Sequence, residues 1–77
     1  MAQQGLNVER KTGSSEVTYN LISVAYHALQ GAENYTFYAR DAKESGDQEL
    51  AQFFRQLVDE ERRRADRVKD HLCRRLG

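Results

Sequence analysis

At 77 residues the chain can hold one small domain, near the size at which a single core only marginally offsets chain entropy, so help from a partner is expected. Its 12 basic and 12 acidic residues cancel, which removes any general attraction to nucleic acid or to an anionic membrane surface. One cysteine, Cys73, excludes an internal disulfide framework and any CxxC metal site.

Met1 to about Gly13 is polar and aperiodic, and 1–14 reads as a flexible N-terminal arm, with Leu6 and Val8 the only side chains suited to docking. This stretch has no signal-peptide hydrophobic region, and no apolar run approaches the roughly 18 residues of a membrane span. A cytoplasmic protein in a reducing setting is the simplest expectation. Ser14 or Ser15 offers an N-cap side chain, with Glu16 in the first turn where negative charge suits the helix dipole.

The absence of proline and the 31% charged residues suit long amphipathic helices. A first helix, about 15–44, is predicted from Leu21, Ile22, Ala25, Leu29, Ala32 and Ala39, which follow the 3.6-residue period. Glu33 falls within the arc that Ile22 and Leu29 define. Gly31 inside this helix costs about 1 kcal/mol in propensity, which points either to close approach of another backbone or to a place on the polar side. Glu44-Ser45-Gly46-Asp47 is the one clear break: Gly46 can take the left-handed terminal conformation and Asp47 can cap the helix that follows. A second helix, about 47–75, ends in basic residues that complement its dipole. So tight a connection folds the two helices back antiparallel, and 15–77 forms a single all-α hairpin.

On the second helix Leu50, Phe54, Leu57, Glu61, Ala65, Val68 and Leu72 fall on one stripe, and the fourth member is a carboxylate. Removing an ionised carboxylate from water costs several kcal/mol unless it is paired, hydrogen-bonded or bound to metal. Glu33 and Glu61 stand at nearly equal distances on either side of Gly46, so an antiparallel hairpin brings them to nearly one height. A hairpin alone leaves Tyr35, Phe53 and Phe54 without cover. Pairing two chains into a homodimeric four-helix bundle covers them and brings together two copies each of Glu33 and Glu61. Two divalent ions, or arginines in part, could balance four such carboxylates.

The hairpin with Glu33 in its first helix, the Ala42-Lys43-Glu44-Ser45-Gly46-Asp47 turn and the run Asp59-Glu60-Glu61-Arg62-Arg63-Arg64 resembles one half of a rubrerythrin or ferritin-like bundle. It is similar to the short encapsulated ferritins, and the resemblance covers roughly Val17 to Leu72. It implies a di-iron centre built from a Glu on one helix and a Glu-x-x-His on the next. Glu33 matches the first position and Glu61 the Glu of the second, but Arg64 stands where the ligand His belongs. A guanidinium has no lone pair to offer a metal. Two functions follow: iron handling at an oxygen-ligand-only or degenerate di-metal site holding iron or manganese, or a non-enzymatic structural or interaction module in which Arg64 replaces the metal charge.

His27 and His71 do not restore the missing ligand, since His71 lies about 15 Å along the axis from Glu61 and His27 falls on the polar side. Tyr26 is the tyrosine best placed to serve a metal centre, although packing is the expected role of Tyr26, Tyr35, Phe37 and Tyr38. Arg62, Arg63, Arg64 and Arg67 interleave with Asp59, Glu60, Asp66 and Asp70 at three- and four-residue spacing, which reads as a face of ion pairs. Cys73 has no neighbouring His or second Cys, so no catalytic thiol is expected. The partner expected is a second copy, in a homodimer or a higher homo-oligomer.

Overall fold

A computed structural model describes residues 14–77, and among these the chain forms two helices, α1 (Ser14–Glu44) and α2 (Gln48–Leu76). Both agree with the predicted bounds to within a residue. The N-terminal arm, apart from Ser14, and its residues Leu6 and Val8 lie outside the described residues. So do the side chains of Ser14 and Ser15, although the backbone is already helical at both. No helix among the described residues is long and apolar enough to cross a membrane.

The reversal between the helices follows from two residues. Gly46 adopts φ 91°, the left-handed region open to glycine. Its N–H donates to the Lys43 carbonyl and the Asp47 N–H to the Ala42 carbonyl, each at 3.0 Å, which satisfies the last carbonyls of α1 in a Schellman arrangement. Asp47 Oδ1 then accepts from the Leu50 N–H at 3.0 Å and caps α2. The turn thus ends one helix and begins the next without a spare residue, and the chain returns antiparallel.

The seam between the helices is made of small side chains. The buried residues are Ala28, Ala32, Ala39 and Ala42 of α1 and Ala51, Val58, Ala65 and Val68 of α2. Leu21, Ala25 and Tyr35 extend the α1 row and Phe54, Glu61 and Leu72 the α2 row, all half-buried. Each row alternates steps of three and four residues, the spacing of two helices wound together. Here the sequence expectation is corrected. Ile22 and Leu29, predicted to face the core, are 50% and 57% exposed, and Leu50 also lies outside the seam. Alanines allow two helix axes to approach closely, and larger side chains at the same positions would hold them apart.

A core of this kind buries little area. Each buried methyl contributes only about 0.8 kcal/mol, whereas Tyr19, Tyr26, Phe37, Tyr38 and Phe53, five of the seven aromatic side chains, are exposed. The hairpin therefore keeps most of its hydrophobic potential on its surface.

Candidate functional site

Two observed contacts set the register. The Glu61 side chain lies over Gly31, and the Tyr38 and Phe54 rings meet edge-on with centroids 5.6 Å apart. Both pairs are symmetric about Gly46, so residues equidistant from the turn face each other. The residue level with Glu61 is therefore Gly31, not Glu33. Glu33 lies two positions on, about 3 Å along the axis and about 200° around α1, and it is exposed. It shares the outer side of α1 with Ile22 and Leu29, as its place in their arc required. Within one chain Glu33 and Glu61 share nearly one height, and they occupy different faces.

Gly31 is half-buried and lies in close approach to the neighbouring helix, which answers the question left by the sequence. A methyl group there would stand 3.5 Å from Tyr35 Cε2 and 3.6 Å from Glu61 Cγ, ordinary contact distances. Gly31→Ala is accordingly expected to stabilise the hairpin by up to about 1 kcal/mol through helix propensity alone. A thermal melt that shows a fall instead would mean that the space above Gly31 is occupied by something further.

Glu61 is only 18% exposed at its side chain, the most enclosed carboxylate of the pair. Its partner is Arg64, one turn later, whose Nη1 donates to Glu61 Oε1 at 2.5 Å. The hydrogen bond that Arg64 donates to Glu61, and then the carboxylate charge, raise the Arg64 guanidinium above its ordinary value, so Arg64 is a permanent cation. Arg64 is thus bonded to the carboxylate one helical turn before it, the one that interrupts the apolar row of α2. Among the described residues no group of three or more His, Cys, Asp or Glu side chains converges as a metal cage would require.

Around this pair the side chains are aromatic. Tyr35, Tyr38, Phe54 and Phe53 form a continuous chain of ring contacts, with successive centroids 5.8, 5.6 and 5.7 Å apart. Leu50 and half-buried Leu57 complete an apolar face that runs from the turn toward Glu61 and Arg64. The opposite side of the seam is a groove flanked by Arg40, Lys43, Arg55, Asp59 and Arg62. One side of the hairpin is therefore apolar with an ion pair at its end, and the other is polar.

The remaining sequence candidates take surface roles. His27 Nδ1 bonds the Ser23 carbonyl at 2.9 Å, and its ring meets Tyr26 edge-on at 5.4 Å. His71 is exposed and its Nδ1 bonds Arg74 Nη2 at 2.5 Å. Cys73 is exposed and free. Of the interleaved charges on α2, Asp66 pairs with Lys69 at 3.6 Å, while Arg64 turns to Glu61. Sequence reasoning placed Ala25, Ala32 and Ala39 in the inward row but missed Ala28 and Ala42 and the outward-facing row of α1. The signal was present in Ala28, Ala32, Ala39 and Ala42, whose spacing is as regular as that of the larger residues. No protein-family model, curated protein or solved structure matches the chain.

Proposed function

We propose that the chain is a non-enzymatic interaction module, a half-bundle of ferritin-like architecture that pairs with a second copy across its aromatic face to make four helices. In that assembly Arg64 supplies the positive charge that a metal supplies in the family the sequence resembles. The observation that carries this reading is the Arg64–Glu61 bond over Gly31. Glu61 is already neutralised within its own chain, and the residue facing it offers no ligand.

The residues do not fit the iron or manganese reading well. A two-fold axis that joins two aromatic faces brings together two Glu61 side chains and two arginines, and it leaves both copies of Glu33 on the outer sides of α1. Two carboxylates beside two guanidiniums are charge-balanced without an ion. The pairing itself is supported by the thin alanine core and by the apolar area around Phe53, which a hairpin of this size cannot cover alone.

Metal analysis of the purified protein, with melting curves in the presence and absence of iron and manganese, tests the reading. The expected result is no bound metal and no metal-dependent shift. Glu61→Gln is expected to lower the melting midpoint, because it removes the carboxylate that pairs Arg64. Stoichiometric metal, or a higher midpoint in Glu61→Gln, would restore the repelling-carboxylate centre and overturn the module.

A further inference from the structure

The outer side of α1 carries a second apolar row that the aromatic-face pairing leaves bare. Tyr19, Ile22, Tyr26, Leu29 and Phe37 are all exposed there, from 47% to 68%. Their steps of three and four residues continue through Glu33 to Arg40, both also exposed. A row with this period is the seam of one helix lying along another, and among the described residues no helix of the chain lies on this side of α1. The hairpin uses its opposite side to meet α2.

The row also specifies its partner. A parallel copy would set Glu33 against Glu33 and Arg40 against Arg40, two like-charge contacts that cost free energy. An antiparallel copy related by a two-fold axis between Leu29 and Gln30 avoids both. It sets Ile22 level with Phe37 of the partner copy, and the two Leu29 side chains together at the axis. Glu33 comes level with Tyr26 of the partner copy, whose hydroxyl can donate to the carboxylate. Arg40 comes level with Tyr19, whose ring face attracts a cation, and Arg40 already stacks on Phe37 of its own chain at 5.5 Å. Each charged residue in the row thus finds a tyrosine, and Ile22, Leu29 and Phe37 find apolar partners.

We infer that the outer face of α1 is a self-association surface, distinct from the aromatic face, on which a second copy of this chain docks antiparallel about Leu29. Glu33 is, in this arrangement, an interface residue rather than a metal ligand. The chain then has two isologous surfaces, and their combined use gives more than two chains.

Light scattering on the full chain and on the double variant Ile22→Glu with Leu29→Glu tests the inference, since both side chains lie in solvent in the hairpin and the helix tolerates glutamate. The variant is expected to have a lower mass than the wild type, with its helical circular dichroism retained. An unchanged mass would overturn the inference. A separate variant, Leu50→Glu with Phe53→Glu, lowers the mass only where the aromatic face is used, so failure of that pairing is read independently. A third measurement does not depend on the fold surviving charged substitutions: Leu29→Cys in a Cys73→Ser background. Under mild oxidation it is expected to form a disulfide-linked dimer at low micromolar concentration. Failure to cross-link, with Tyr19→Cys cross-linking instead, would contradict the antiparallel register.

Discussion

Ala51→Leu is expected to be the most damaging single substitution in the hairpin. Ala51 is 0% exposed and lies, by the register of the Gly31–Glu61 and Tyr38–Phe54 contacts, at a level between Ala39 and Ala42. Three additional carbons there have no space without separating the helix axes, and overpacking of a close-packed site costs about 1–3 kcal/mol. In a domain of this size each kcal/mol lowers the melting midpoint by roughly 4–8 °C. Because separation at one level strains the alanine contacts on both sides, a result at the upper end of that range is expected. The control is Gln52→Leu, an exposed neighbour, which should change stability by no more than about 0.5 kcal/mol. Equal tolerance of leucine at both positions, measured by thermal or urea unfolding, would mean that the alanine seam is not the contact that closes the hairpin.

The second large effect is on assembly. Leu50 and Phe53 are 41% and 50% exposed in the hairpin, so replacing both with glutamate removes little from the fold of one chain. In the proposed four-helix bundle the same residues lie between chains, where an unpaired buried charge costs several kcal/mol. The expected outcome is loss of that interface with the helices retained. Stability should change in character as well. Association stabilises by mass action, so the wild-type melting midpoint should rise with protein concentration, and the aromatic-face contribution to that rise should vanish in the variant. A variant that keeps both the wild-type mass and the wild-type concentration dependence would exclude the aromatic face as an interface.

The outline of the fold was legible because it rests on local chemistry. Gly46 and Asp47 are residues whose conformational and capping preferences act within one turn of helix, and they mark the reversal without reference to anything distant. Glu61 was also legible, as a carboxylate in an apolar row, and so was the importance of Arg64. What was not legible was the choice between two apolar rows on α1. Ranking by hydrophobicity favours Ile22 and Leu29 for the interior, yet the alanines take it. Closeness of approach, a property of the pair of helices rather than of either one, decides between the rows. The larger side chains are then displaced to the outer face, and Glu33 goes with them. That single exchange changes the candidate site: the residue opposite Glu61 becomes Gly31, and a carboxylate pair becomes a carboxylate bonded to an arginine.

Gly31 and Arg64 together also account for why the carboxylate pair expected from the sequence does not form. Helical spacing sets the height of Glu33 relative to Glu61, and the turn sets the antiparallel return. Neither constrains the angle around α1 at which a side chain emerges, and a difference of two residues moves that angle by about 200°. Such a difference is small in sequence and complete in its effect on which face a ligand occupies.

In the proposed reading the chain exists as an assembly, since its buried core is alanine and valine while five of its seven aromatic side chains are exposed. The most direct measurement is the mass of the wild-type protein at low micromolar concentration by light scattering, without added metal. The prediction is an even multiple of the chain mass, more than two where both surfaces are used. A single-chain mass, with helical content intact, would contradict it.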